Sequence, residues 1–170
     1  YFVLQSIALE IEVDKFISSS NDKCGKCRIC IDSCPTSAIS EDGIVDRNKC
    51  IRHHVPVKEM IDDNYKKLSG NSFIGCGICQ MVCPLNKKIC QVDPDDTLIK
   101  SLNIADMLNP TTRDGQLKNL GNLIGKNEVR ANRALATACM AAGNTRNNEY
   151  IEFLDIIVST HNSSLVRQYA

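Results

Sequence analysis

The sequence predicts an α+β protein in which a small cysteine-rich domain is followed by an all-α region. Eight of the ten cysteines lie between residues 24 and 83. Segment 39–45 has short apolar stretches on either side of a Glu-Asp-Gly turn, which predicts a hairpin. After residue 95 the cysteine motifs stop and apolar residues recur at helical spacing. A chain of 170 residues is long enough for one ordinary domain or two small ones.

The first cysteine motif has the spacing C-x2-C-x2-C-x3-C-P. It contains Cys24, Cys27, Cys30 and Cys34 and ends at Pro35. This spacing is typical of bacterial ferredoxins, in which three thiolates hold one 4Fe-4S cluster and the fourth binds a second cluster. The motif therefore predicts a second set of ligands, so that eight cysteines hold two clusters.

The second set of cysteines lies downstream. Cys50 stands alone, and Cys76, Cys79 and Cys83 repeat the last part of the first motif, followed by Pro84. The resemblance to bacterial ferredoxins implies a crossed arrangement of ligands. Cluster 1 is expected to bind Cys24, Cys27, Cys30 and Cys83, and cluster 2 is expected to bind Cys34, Cys50, Cys76 and Cys79.

Zinc and disulfide bonds are the other common uses of closely spaced cysteines. A structural zinc site usually takes its four ligands as two pairs, and this motif does not have that spacing. Cysteines in such tight loops form poor disulfide bonds, and no secretory signal is visible. Iron-sulfur ligation is the interpretation that fits the motif, and reduced thiols indicate the cytoplasm.

The charge pattern is balanced overall but uneven along the chain. With 20 basic and 20 acidic residues, the sequence predicts no global attraction to polyanions. Residues 23–90 carry eleven Lys and Arg against seven Asp and Glu. Each oxidised 4Fe-4S cube with its thiolates carries a charge of about −2, so this basic excess is expected to compensate the clusters. No stretch approaches eighteen apolar residues, which predicts no membrane span.

We predict three segments. Residues 1–18 are expected to be a linker or the remnant of a preceding domain, residues 19–94 the double-cluster domain, and residues 95–170 the helical region. Candidate helices in this last region cover residues 97–108, 114–125, 128–142 and 147–160, with another beginning near Ser163.

Two features interrupt the plain ferredoxin pattern. An insertion between Cys50 and Cys76 predicts a helix from Val57 to Leu68, ended by Gly70. His53, within a His-His pair, invites a ligand role, but the cysteine set is already complete, so an exposed or indirect role is preferred.

Two further cysteines lie outside the ligand sets, and the helical region has a weak repeat. Cys139 is interpreted as a small apolar packing residue, and the same interpretation is preferred for Cys90 over a ligand or redox role. Val129-Arg130 recurs as Val166-Arg167 after 37 positions, a spacing that fits HEAT-type paired helices, although a plain helical bundle fits nearly as well.

The motifs together resemble a known family. The run CGKCRICIDSCP, the lone Cys50-Ile51, the run GCGICQMVCPLN and a helical tail with V-R and A-A-G-N resemble the C-terminal part of epoxyqueuosine reductase. Gln80, Pro84 and Asn86 match the second motif of that family, whereas Arg52-His53 stands where Ser-Tyr is usual. The resemblance implies a preceding cobalamin domain, a bacterial-ferredoxin-like double-cluster domain and HEAT-like helices.

The resemblance also implies a function. Members of the family reduce an epoxide on a modified tRNA nucleoside to an alkene, the last step of queuosine synthesis, with electrons passing through the clusters to cobalt. This chain would then be an electron-transfer module of a cobalamin-dependent oxidoreductase, without a complete active site of its own. The cobalamin domain would lie in the same or another chain, and the electron donor would be of flavodoxin or ferredoxin type.

Two alternatives stay open at this point. Five basic residues of the tail are either contacts for tRNA phosphates or ordinary solvated helix charges. These residues are Lys118, Lys126, Arg130, Arg133 and Arg167. The whole chain is alternatively a stand-alone ferredoxin-like carrier or scaffold that binds a protein partner through its helices.

Overall fold

In a computed structural model of the chain, the described residues are Glu10, 24–87 and 95–170. Within these ranges the regular structure is helical. The α-helices are α1 (Ile29–Asp32), α2 (Ile51–His54), α3 (Asp63–Leu68), α4 (Ile78–Met81), α5 (Asp96–Ser101), α6 (Ile104–Leu108), α7 (Arg113–Ile124), α8 (Ala131–Thr145), α9 (Ile151–Thr160) and α10 (Ser164–Tyr169). Single 3-10 turns cover Pro84–Asn86 and Asn148–Tyr150. Most of the predicted linker 1–18, and Cys90, lie outside the described residues.

The β component of the predicted α+β class is not confirmed. Among the described residues, strand pairing is limited to one isolated antiparallel bridge, between Ile39 and Val45. The backbone folds back between them, with the Ser40 N–H donating to the Ile44 oxygen at 2.9 Å and Gly43 at φ +74°. The hairpin lies where the sequence predicts it, but a reversal this tight leaves room for only one bridged pair.

The predicted helix from Val57 to Leu68 is wrong in its first half. Helix α3 begins at Asp63, because the Asp62 side chain accepts the Asn64 N–H at 2.8 Å and so caps the helix there. At the other end the prediction agrees with the structure, since Gly70 follows the helix with φ +52°.

Residues 55–62 are held by side chains of the helical region instead of by helical hydrogen bonds. The Val57 N–H donates to Thr137 Oγ1 at 2.9 Å, and the Ile61 N–H donates to the Tyr169 hydroxyl at 3.0 Å. That hydroxyl donates in turn to the Glu59 carbonyl at 2.9 Å. These tertiary bonds satisfy backbone groups that a helix would otherwise pair.

The predicted helical region is confirmed, with two changes. The expected helix 97–108 is two helices, because Asn103 accepts the Asp106 N–H at 3.3 Å and starts α6 after α5 has ended. The two Val-Arg pairs are not equivalent: Arg130 is the residue before α8, whereas Val166 and Arg167 lie inside α10. The HEAT-type pairing therefore stays a prediction.

Helix α8 is the centre of the core. Its residues 134–142 are buried on all sides, and it packs against α3, α6 and α10. Alanine dominates this stretch, which lets neighbouring helices approach closely. Cys139 is 1% exposed here, which agrees with its interpretation as a packing residue. No helix in the described ranges is both long and apolar enough to cross a membrane.

One hydrophobic core joins the insertion to the helical region. Ile51, Val55 and Val57 belong to the same buried cluster as Leu135 and Val166. The division into 19–94 and 95–170 thus stays a prediction about domains, while the described residues on either side of it share a continuous core.

Candidate metal centre

The two cysteine motifs adopt the same local structure. In each, a cysteine lies two residues before a one-turn helix, a second is the second residue of that helix, and a third follows the helix. In the first motif these are Cys27, Cys30 and Cys34 around α1, and in the second they are Cys76, Cys79 and Cys83 around α4. Helix α1 packs against α4, so the two motifs meet.

Four cysteines from distant parts of the chain line one cavity, which we name the Cys50 cavity. They are Cys34, Cys50, Cys76 and Cys79. The rest of the lining is almost wholly apolar and consists of Pro35, Thr36, Ala38, Ile39, Val45, Ile51 and Ile78. The cavity therefore offers four sulfur atoms in surroundings that contain few competing polar groups.

A second cavity, which we name the Cys27 cavity, is lined by Cys24, Cys27 and Cys30. Cys79 also lies on its lining, and Cys83 does not. Two acidic residues, Glu41 and Asp42, give this cavity a more polar edge than the Cys50 cavity has. Of the eight cysteines expected as ligands, seven thus line one of the two cavities.

Cys34 is prepared for a thiolate role by its neighbours. Burial by itself would raise the pKa of the Cys34 thiol, but hydrogen bonds to its sulfur outweigh this effect and lower the pKa. The Ala38 N–H donates to Cys34 Sγ at 3.2 Å, and Thr36 Oγ1 lies 3.7 Å from the sulfur. Donors of this kind favour the charged sulfur that binds a metal.

The pKa of the Cys79 thiol is shifted in the opposite direction, upward. Burial raises the pKa of its thiol, and the negative charges of the neighbouring thiols Cys76, Cys50 and Cys30 raise it further. Cys79 therefore lies close to thiols of both motifs. A cationic metal cluster would remove this repulsion, because each thiolate would then face iron instead of another bare sulfur.

Gly75 allows the Cys76 segment to pass close to the Cys50 segment. Its φ is +137°, and a Cβ built on it would overlap with the Arg52 side chain. The Arg52 guanidinium continues toward the helical region, donating to the Val55 carbonyl at 3.2 Å and to Glu128 Oε2 at 3.4 Å. Sequence reasoning did not identify this link, since Arg52 and Glu128 are far apart along the chain.

The four thiols of the Cys50 cavity match the number of ligands that a 4Fe-4S cluster needs. Within the described residues, no group of three or more His, Cys, Asp or Glu side chains converges tightly enough to hold one ion. A 4Fe-4S cube uses one thiolate for each of four irons and so keeps its ligands apart. Four sulfurs spread around an apolar cavity meet that requirement.

The histidines near Cys50 are not part of either cavity lining. His54 Nε2 lies 2.7 Å from the Asn48 carbonyl oxygen, and its ring contacts those of His53 and Tyr65 at centroid distances of 5.2 Å. Partial burial and the charge of Arg47 lower the pKa of His53. The preference for an indirect role of His53 agrees with this placement.

The structure describes the surroundings of the five basic tail residues. Lys118 and Lys126 line a shared groove beside α7. The Arg167 guanidinium donates to the carbonyls of His161 and Asn162 at 2.6 and 3.1 Å, so it already holds the α9–α10 turn. Arg130 precedes α8 and Arg133 lies in its first turn. Of the five, Lys118 and Lys126 are shown to line one groove.

Comparison with known proteins agrees with the site. Residues 23–86 match the family described as a 4Fe-4S double cluster binding domain. An uncharacterized protein in the gldA 3′ region of Geobacillus stearothermophilus is 34% identical over 129 residues, which are 71% of this chain and 59% of that protein. Epoxyqueuosine reductase of Bacillus anthracis is 36% identical over 125 residues, 69% of this chain and 33% of that enzyme.

A solved structure agrees with the fold. The structure of epoxyqueuosine reductase from Streptococcus thermophilus superposes with a TM-score of 0.64 at 29% identity, over 95% of this chain and 42% of the other. The chain thus spans between a third and three fifths of the length of these relatives. Part of the chain is homologous to epoxyqueuosine reductases, and its residues 23–86 match the model of a 4Fe-4S double cluster binding domain.

Proposed function

We propose that this chain binds two 4Fe-4S clusters through eight cysteines and passes electrons between them. Cluster 1 would take Cys24, Cys27, Cys30 and Cys83, and cluster 2 would take Cys34, Cys50, Cys76 and Cys79. The single observation that carries the proposal is the Cys50 cavity, because its four sulfurs come from three separate segments and equal the set proposed for cluster 2. For cluster 1, the packing of α1 on α4 supports a ligand from the second motif.

The residues around the Cys50 cavity would do three things. The thiolates would bind the irons of the cluster. The Ala38 N–H and the Thr36 hydroxyl would donate hydrogen bonds to Cys34 Sγ. Ile51 and Ile78 would exclude water from the cavity wall. When bound, each cluster supplies one-electron transfer at a low potential set by such hydrogen bonds and by solvent access.

We further propose that the chain is the electron-transfer module of an enzyme of the epoxyqueuosine reductase type. Electrons would come from a flavodoxin or ferredoxin type donor and would leave toward a cobalamin held by another domain, in the same or another chain. There an epoxide on a tRNA nucleoside would be reduced to an alkene, in the cytoplasm. The relatives named epoxyqueuosine reductase support this proposal.

The helical region would contribute contacts to the RNA. Lys118 and Lys126 are the strongest candidates among the five basic tail residues, because they share one groove and are both exposed. Each phosphate contact of this kind strengthens binding and makes it sensitive to salt.

Complementation tests the enzymatic part of the proposal. In bacteria, this chain replaces the matching part of the resident epoxyqueuosine reductase, so that the domain proposed to hold cobalamin is retained, and tRNA nucleosides are analysed by mass spectrometry. Queuosine is expected to replace epoxyqueuosine, and the Cys50→Ser variant is expected to leave epoxyqueuosine in place. Unchanged epoxyqueuosine with a soluble, iron-loaded wild-type protein would contradict the reductase proposal and favour the stand-alone carrier.

A further inference from the structure

The Cys50 cavity and the Cys27 cavity are neighbours that share part of their lining. Three residues line both: Ile39, Val45 and Cys79. Cys79 is a proposed ligand of cluster 2. Ile39 and Val45 are apolar and have no ligand role, so an apolar surface borders both groups of cysteines.

The hairpin explains why the side chains of Ile39 and Val45 face the same way. Ile39 and Val45 are opposite each other in an antiparallel bridge, and side chains of directly opposed residues lie on the same face. Ile44, the next residue along, points to the other face and lines neither cavity. Val45 is 53% exposed and Ile44 is 69% exposed, so both tolerate substitution without disturbing a packed core.

The hairpin is anchored to the sulfur site at its base. The Asp46 N–H donates to the Ala38 carbonyl at 2.8 Å, and the Ala38 N–H donates to Cys34 Sγ at 3.2 Å. The position of Ile39 and Val45 is therefore fixed relative to a proposed ligand of cluster 2, while the same two side chains reach the Cys27 cavity.

We propose that Ile39 and Val45 act as an apolar partition that tunes both clusters at once, with Val45 controlling how polar the space between them is. The inference rests on the proposed two-cluster function. An apolar wall keeps water and hydrogen-bond donors away from both clusters, which disfavours the more negatively charged reduced state. A polar group at position 45 would favour that state in both clusters.

The test compares Val45→Thr with Ile44→Thr, a matched control one residue away on the opposite face of the hairpin. Each protein is reconstituted with iron and sulfide without oxygen, and its iron content is measured. Reduction potentials of both clusters are then determined by titration monitored by electron paramagnetic resonance. Val45→Thr should shift both potentials to more positive values, and Ile44→Thr should leave both unchanged.

A second variant separates the effect of solvent access from the effect of the hydroxyl group that Val45→Thr introduces. Val45→Ala opens the partition without adding a donor and should also shift both potentials upward, through solvent access. Unchanged potentials in both Val45 variants, a shift confined to one cluster, or an equal shift in Ile44→Thr would overturn the partition role while leaving the two-cluster proposal standing. A wild-type protein that binds no iron would overturn both.

Discussion

Burial determines the chemistry of Cys139, which lies in the middle of α8 and is 1% exposed. Burial raises the pKa of its thiol to about 12, whereas the cavity cysteines face one another and the solvent. The neutral thiol is therefore favoured throughout the physiological pH range, and Cys139 acts as a small apolar side chain.

Cys139 should resist alkylation in the folded protein. At pH 8 a pKa of about 12 leaves roughly a thousand-fold less thiolate than the ordinary value near 9 would leave. Iodoacetamide labelling followed by peptide mass spectrometry should modify Cys139 only after denaturation. Equal labelling of Cys139 before and after denaturation would show that the thiol is accessible and the core assignment is wrong.

Thr137 is a buried residue whose hydroxyl links two parts of the chain. It accepts the Val57 N–H at 2.9 Å and donates to the Arg133 carbonyl at 2.7 Å. Thr137→Val keeps the shape but leaves a buried N–H without an acceptor, which should cost about 1–3 kcal/mol of unfolding free energy. Urea denaturation measures this loss.

Thr160→Val is the matched control, because the Thr160 hydroxyl bonds the Ile156 carbonyl on an exposed surface of α9. Its effect should stay within about 0.5 kcal/mol. Equal effects of the two variants would mean that the Thr137 contact does not hold residues 55–62.

At the scale of the elements, helix α3 depends on its neighbours. It has six residues, too few for an isolated helix to be stable in water. The Asn144 side chain of α8 donates to the carbonyls of Lys66 and Gly70 at 2.7 and 2.8 Å, which fixes the end of α3. Helix α3 therefore forms as part of the contact with α8.

Asn144→Ala should destabilise the protein by about 1–2 kcal/mol, because two carbonyls lose a donor. Faster amide hydrogen exchange in residues 63–70 should accompany this loss, since the effect is local. Asn122→Ala, at an exposed position of α7, serves as the control and should change neither quantity. Unaltered exchange in α3 after Asn144→Ala would contradict the anchoring role.

The same elements show what sequence could predict. The cysteine spacing predicted a group made of Cys34, Cys50, Cys76 and Cys79, and these four line the Cys50 cavity. The other predicted group is only partly brought together, since Cys83 lines neither cavity and its ligand role stays a prediction. The start of α3 was missed because Val57 and Ile61 have helical spacing, yet their N–H groups bond Thr137 and Tyr169, which lie far along the chain. The break between α5 and α6 was also missed. It depends on a single capping hydrogen bond, from the Asp106 N–H to the Asn103 side chain, which is a weak signal against one continuous helix.

At the scale of the whole molecule, the cluster site and the helical region are connected. Ile51 lines the Cys50 cavity and also belongs to the main hydrophobic core, and Cys76 packs against that core. The Arg52–Glu128 pair adds an exposed contact between the same two parts at 3.4 Å. No local pattern in the sequence predicts this connection, because it joins residues on opposite sides of the predicted boundary.

Cluster binding should therefore stabilise the helices as well as the cysteine loops. Removal of iron by a chelator is expected to lower the thermal midpoint of helix unfolding by several degrees, roughly the effect of a ligand that binds only the folded state. Circular dichroism at 222 nm measures this midpoint. The Cys50→Ser variant should start near the lower midpoint and respond less to the chelator. A midpoint unchanged by iron removal would show that the two parts unfold independently.

The most direct test of the central claim is the iron and acid-labile sulfide content of the wild-type chain after anaerobic reconstitution. Two four-iron clusters predict eight irons and eight sulfides per chain, with a brown colour that bleaches on reduction. A colourless protein that holds zinc, or one that saturates at four irons and four sulfides, would contradict the account.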